Sequence, residues 1–239
     1  MPRLHEKIAI VTGSSSGIGK AIALRFGQEG AVVIVAARRE LLCQQTVRQI
    51  VEAGGQAHAI PTDIRDEQQV DQLVQETVRC FGRLDILVNN AGIYAGGPVA
   101  EIPTATFDEV MNTNVRGTFF CCRAGMQQMK RQRNGVIINM SSLAGVEAWA
   151  GTGVYSASKF AVIGLTHAMA DEGRRYGVKV CALCPAGVAD ELVDASPDLI
   201  QRSPKIDPYD IAETAVYLST LGPQAIVKQI VIDRMGADW

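Results

Sequence analysis

Tyr155 and Lys159 stand four residues apart, so on a helix they share one face. A tyrosine hydroxyl ordinarily titrates near ~10 and is a poor base at neutral pH. A neighbouring ammonium favours the phenolate and lowers that value. Such a hydroxyl can donate a proton to a carbonyl oxygen, or take one from an alcohol. The same spacing also occurs on amphipathic helices that do no chemistry, so company matters. Ser142 ends the run VIINMSS (136–142) and offers a hydroxyl to a substrate oxygen. Asn114 lies in NTNVRG (112–117), inside a helical stretch, where a buried amide needs partners. It can hold a water that links Lys159 to solvent as a proton relay.

A second group suits anion binding. TGSSSGIG (12–19) follows a short apolar run and opens a helical pattern. Gly13 permits a tight turn, and Gly17 and Gly19 let backbone approach a pyrophosphate. Ser15, Ser16 and Ile18 complete the loop, whose free N–H groups face the anion at the helix start. The spacing is G-x-x-x-G-x-G rather than G-x-G-x-x-G. The next apolar run ends Ala36-Ala37-Arg38-Arg39, with no carboxylate for a ribose hydroxyl pair. Two guanidiniums can instead hold a 2′-phosphate, which points to NADP(H).

The elements that must position these residues alternate along the chain. Strand-like runs cover 7–12, 31–37, 56–63, 84–92, 136–142, 178–185 and 226–233. Helical patterns cover 17–28, 40–53, 66–81, 105–131, 153–176 and 208–220. Glycines at 54, 55 and 82 end two of the helices. Seven strands separated by helices predict an α/β Rossmann fold: a doubly wound parallel sheet with helices on both faces. Ligands then sit outside the carboxyl ends of the strands. There is no linker, so residues 1–239 are expected to form one domain containing the catalytic site.

Composition excludes other classes. The chain has 239 residues, 47% hydrophobic and 20% charged, with a net charge of −2. That is globular, and it lacks the basic excess of a nucleic-acid binder. No apolar run approaches the ~20 residues of a membrane span, and the first residues do not resemble a secretory signal. The expectation is a cytoplasmic protein. Six cysteines, including Cys121-Cys122 and the pair Cys181 and Cys184, are expected in the core, and no metal site is expected.

Taken together, TGSSSGIG (12–19), Asp63, NNAG (89–92), Asn114, Ser142 and YSASK (155–159) resemble the short-chain dehydrogenase/reductase family in order and spacing. The resemblance covers nearly the whole chain. It implies a catalytic tetrad of Asn114, Ser142, Tyr155 and Lys159. It implies adenine contacts from Asp63 and Ile64, ribose-side contacts from Asn90, Ala91 and Gly92, and nicotinamide-side contacts from Pro185, Gly187 and Val188. Tyr155 and Lys159 would also reach the nicotinamide ribose. It further implies a homodimer or homotetramer built through the two long helices.

Three departures stand out. Ser16 occupies a position that is often basic in NADP-preferring relatives. Ala186 and Asp190 replace a glycine and a threonine after the sixth strand, so residue 186 must avoid positive φ or accept strain. Asp190 is expected to turn outward or to meet the nicotinamide carboxamide. The chain ends DRMGADW rather than in a glycine pair, and Trp239 is expected at a subunit contact.

Residues 188–206 should cover the substrate, with Tyr94, Leu143, Val146, Trp149 and Val193 as apolar walls. Trp149 suits a core or interface position equally well. No cluster of arginines marks an acidic substrate. The expected activity is carbonyl reduction by NADPH. The alternatives are an NAD-linked alcohol dehydrogenase working oxidatively and a non-catalytic NADP(H) sensor.

Overall fold

A computed structural model describes residues 1–189 and 205–235. Seven parallel strands form one sheet: β1 (Ile8–Thr12), β2 (Val32–Ala36), β3 (Gln56–Ala59), β4 (Ile86–Asn89), β5 (Gly135–Met140), β6 (Val178–Pro185) and β7 (Gln229–Ile232). Their spatial order is β3-β2-β1-β4-β5-β6-β7. The helices are α1 (Gly17–Gln28), α2 (Glu40–Glu52), α3 (Glu67–Phe81), α4 (Thr104–Val110), α5 (Thr118–Gln132), α6 (Gly153–Gly173) and α7 (Pro208–Thr220). The architecture is the doubly wound Rossmann sheet that the sequence predicts.

Strand periodicity splits the core in two. Successive side chains of a strand point to opposite faces. Ala9, Val11, Val33 and Val35 face one layer, built with Ile22 and Phe26 of α1, Ile50 of α2 and Ile211 of α7. Ile10, Ile34, Leu87 and Ile137 face the other, built with Leu73 of α3, Phe120 and Met129 of α5 and Met169 of α6. Both faces are apolar, which explains why these strands read as continuous hydrophobic runs. An ion-pair chain ties the edge of the first layer together. Glu29, which is buried, accepts from Arg3 at 2.6 Å and Arg25 at 2.5 Å, and Glu213 of α7 accepts from both arginines.

The long helix expected at 105–131 is continuous but not uniform. Residues Met111–Gly117 form π turns between α4 and α5. Such turns usually mark functional positions, and Asn114 lies in the middle. Helix α6 ends at Gly173 and tightens into a 3₁₀ turn at Arg174–Tyr176. β3 stops at Ala59, although the Ile60 and Thr62 N–H groups still donate to Val35 and Ala37, flanking the donor that Pro61 lacks.

Five cysteines are buried, as expected, but Cys80 is exposed on α3. Among the described residues no group of metal-ligating side chains gathers, and no helix is long and apolar enough to cross a membrane.

Candidate active site

The chain reverses its direction across the sheet between β1 and β4, so the loops leaving these strands meet side by side. This is the crevice where doubly wound sheets take ligands. The Asn90 amide donates to the Thr12 carbonyl at 3.1 Å and to the Gly13 carbonyl at 3.4 Å. The Thr12 hydroxyl accepts from the N–H groups of Asn90 and Ala91. Gly13 has φ +67°, and a Cβ there would stand 2.8 Å from the Ala91 backbone. A Cβ on Gly19 would overlap the Asn90 amide and lie 2.5 Å from the Gly13 carbonyl oxygen. These glycines therefore keep backbone close to backbone, and the first turn of α1 opens toward the crevice.

Arg39 reaches back over this turn from the end of β2. Its Nη2 donates to Ser15 Oγ at 3.1 Å and to Ser16 Oγ at 3.0 Å. Arg38 and Arg39 are both exposed. The contact supplies at Ser16 the basic group that residue 16 itself lacks. Asp63 stands nearby, its carboxylate gripped by Arg65 with Nη2–Oδ2 at 2.6 Å and further favoured by Arg38, which holds it below the usual carboxylate range. The Asp63 N–H donates to Gln69, and Asp66 caps α3. Ile64 differs from expectation in one respect. Its side chain is buried in the core against Gly117, so only its backbone is free to meet a ligand.

The four residues of the expected tetrad converge at the carboxyl ends of β4, β5 and β6. The Ser142 hydroxyl accepts from the Ala144 N–H at 3.1 Å and donates to the Pro185 carbonyl at 3.4 Å, and it favours the ionised form of the Tyr155 hydroxyl beside it. Tyr94 packs edge-on over the Tyr155 ring, centroids 5.0 Å apart. Burial pushes the Tyr155 hydroxyl up to about 12, with the Ser142 contact opposing. Lys159 is buried, donates to the Met140 carbonyl at 3.0 Å and lies 5.5 Å from the Tyr155 ring centre. Burial lowers its ammonium to about 8.

Asn114 is tied to the Ile93 backbone and to Ser158. Its Oδ1 accepts from the Ile93 N–H at 2.8 Å. Its amide donates to the Ile93 carbonyl at 2.8 Å and to Ser158 Oγ at 3.1 Å. Both amide hydrogens are thus committed to protein, and only Oδ1 has acceptor capacity left. That oxygen and Lys159 Nζ both approach the open side of Gly92, where a Cβ would stand 3.1 and 3.6 Å from them. The clamp on Ile93 also positions Tyr94.

Other expectations divide. Ala186 avoids positive φ and donates its N–H to the Ile232 carbonyl at 2.8 Å, so its backbone is unstrained. Val188 is buried and pairs with Ile206, and Gly187 is exposed. Leu143 is buried, Val146 half-buried, and Tyr94 exposed. Trp149 is 46% exposed and therefore is not a core residue. Asp190, Val193 and Trp239 lie outside the described residues. The sequence reading missed the Tyr94–Tyr155 stack, the Ile93 clamp and the Arg39 contact. Each joins residues from separate elements, and no local pattern encodes it.

Known proteins share these features. A family model described as short chain dehydrogenase matches residues 7–198. The chain is 39% identical over 207 residues to the uncharacterized oxidoreductase YxjF of Bacillus subtilis, covering 87% of this chain and 80% of that one. A metagenomic short-chain oxidoreductase solved in complex with NADP superposes with a TM-score of 0.86 at 32% identity, over 98% of this chain and 99% of the other. A variant of actinorhodin polyketide ketoreductase solved with NADPH superposes with a TM-score of 0.89 at 32% identity, over 95% of each chain.

Proposed function

Because this chain belongs to the short-chain dehydrogenases and is an oxidoreductase of that family, we propose that it reduces a ketone or aldehyde to an alcohol with NADPH. The observation that carries this reading is the convergence of Ser142, Tyr155 and buried Lys159 at the strand edge where the glycine turn also opens.

The residues present fit the cofactor. The cradle between Gly13, Gly19 and Ala91 is one that added side chains would fill. Arg39 lies across Ser15 and Ser16, with Arg38 beside it, as a 2′-phosphate requires. Two of the solved relatives carry NADP or NADPH. Gly13, Ser15, Ser16, Gly17, Ile18 and Gly19 would hold the diphosphate side. Asp63, backbone Ile64, Asn90, Ala91 and Gly92 would hold the adenosine side, and Pro185, Gly187 and Val188 the nicotinamide side. When bound, NADPH supplies the hydride.

The chain's own residues handle the proton. Ser142 and Tyr155 orient the carbonyl oxygen between two hydroxyls, and Tyr155 donates its proton to that oxygen as the alcohol forms. The charged Lys159 favours the phenolate left behind. Asn114 holds Ile93, and through it the Tyr94 cover, in place. One sheet bears both cofactor and substrate groups, so we read residues 1–239 as one catalytic domain, cytoplasmic in location. Exposed Phe107 and Phe119 on the α4–α5 stretch and Phe160 on α6 support assembly with further copies through these helices.

The test is initial-rate oxidation of NADPH and of NADH over a panel of ketones, aldehydes, diketones and acyl thioesters, alongside Tyr155→Phe. NADPH-preferring turnover that Tyr155→Phe abolishes supports the reading. A preference for NADH with alcohols favours an oxidative dehydrogenase. Saturable NADPH binding with no turnover favours a sensor.

A further inference from the structure

A cation without an ion-pair partner among the described residues stands at the same strand edge. β7 ends at Ile232, whose carbonyl accepts from Ala186, so the ends of β6 and β7 are stitched together. Arg234 follows, its N–H fixed on the Asp233 carboxylate at 2.7 Å. Its guanidinium lies against Gly187, where a Cβ would stand 3.4 Å from Nη1. Its Nε is buried and has no hydrogen-bond partner among the described residues. Arg3, Arg25, Arg65 and Arg83 each hold a carboxylate, but no ion pair among the described residues involves Arg234. A buried guanidinium atom without an acceptor is costly, and an anion arriving at it recovers that cost.

Position narrows which anion. The phosphate cradle and Arg39 belong to β1 and β2, whereas Arg234 follows β7. Four strand spacings separate β1 from β7, roughly 19 Å. The reacting hydroxyls are nearer along the chain. Ser142 touches the Pro185 carbonyl, and Gly187 lies two residues beyond, a span of at most ~7 Å. A carbonyl held by Ser142 and Tyr155 therefore shares the carboxyl edge of β6 and β7 with this cation, with Gly187 between them. We propose that Arg234 receives the carboxylate of the substrate, so that this enzyme prefers short oxo acids to neutral ketones. A guanidinium fork matches a carboxylate bidentately. The expectation that no arginine cluster marks an acidic substrate is then met by one arginine, brought to the site by the last strand.

The proposal rests on the carbonyl-reductase reading, so its test carries two readouts. The first is kcat/KM with saturating NADPH for 2-, 3- and 4-oxo acids against their methyl esters. The second is calorimetric binding of the matching hydroxy acids to the enzyme with NADP+. Wild type, Arg234→Met and Arg234→Lys are compared, with circular dichroism as the folding check. The wild type should favour at least one acid over its ester by about tenfold. Arg234→Met should remove that preference and leave the ester and the NADPH KM within about twofold, while Arg234→Lys restores part of it. Hydroxy-acid binding that Arg234→Met abolishes, with no turnover of any carbonyl, would uphold the anion site and overturn the reductase reading. Equal losses for acid and ester, a raised NADPH KM, or a wild type indifferent to the carboxylate would overturn the proposal. If Arg234→Met does not fold, the same comparison on Arg234→Lys decides it.

Discussion

Lys159 points its ammonium at the Met140 carbonyl, 3.0 Å away, while lying 5.5 Å from the centre of the Tyr155 ring. The cation is thus anchored on β5 and held beside the phenol ring. It is held in a buried place, which lowers its own proton affinity to about 8 and leaves the phenol near 12. Burial thus moves the two groups apart, favouring the neutral form of each.

A pH profile follows. The ammonium supports proton donation only while it is charged. The rate of carbonyl reduction should hold up to about pH 8 and fall above it as Lys159 loses its proton. Steady-state NADPH oxidation between pH 6 and pH 10 reads this, and Lys159→Met should lower the rate about 100-fold or more and flatten the profile. An unchanged alkaline limb in Lys159→Met would assign the limb to another group.

Stability should move the opposite way. The folded value of Lys159 lies below its ordinary value of 10.5. Between about 8 and 10.5 the unfolded chain binds more protons at this site, so its contribution to stability rises with pH across that window. Below about 8 the full penalty of the buried charge is present. Lys159→Met removes it but leaves the Met140 carbonyl without its donor, a net gain of about 1–2 kcal/mol at pH 7. Thermal melts should show a rise in Tm of roughly 2–6 °C, shrinking between about pH 8 and 10.5 and gone above that window.

Cofactor choice should rest on the pair at the end of β2. Arg38→Ala combined with Arg39→Ala should raise the KM for NADPH about 100-fold while NADH changes by less than about threefold. Parallel kinetics with the two cofactors measures it. Equal losses would mean that the arginines organise the turn at Ser15 and Ser16 instead.

Asn114→Ala should unfold more easily. It strands the N–H and the carbonyl of Ile93, both satisfied by one amide. The cost is about 2–4 kcal/mol, read as a lower urea midpoint. Activity should fall further than stability accounts for, because Tyr94 follows Ile93 directly and covers Tyr155.

Much of this was legible in the chain because it is local. α1 and α7 span the residues that their helical patterns mark, α3 stops at Gly82, and β6 is one apolar run. Tyr155 and Lys159 share a helix face by spacing alone. What escaped is non-local. β7 proved shorter than its apolar run, Gln229–Ile232 against 226–233. Ile64 looks like a loop residue but fills the space left by Gly117. Arg234 reads as an ordinary charge near the end of the sequence, and only the stitching of β6 to β7 sets it against Gly187. The π turns are invisible to a hydrophobic pattern, since one extra residue per turn shifts the register without changing composition.

That shift bears on which changes of length the chain tolerates. Each residue of an α-helix turns the axis by about 100°. Deleting one residue between Met111 and Gly117 would remove the π turns on which the setting of Asn114 depends, whereas inserting one would rotate α4 by about that angle relative to α5. Phe107, now facing out, would swing around the axis, and Asn114 would lose either Ile93 or Ser158. Surface substitutions along this helix are cheap, yet a single insertion or deletion in it is not. Across such a stretch, homologous chains should vary freely in letters while keeping an identical count.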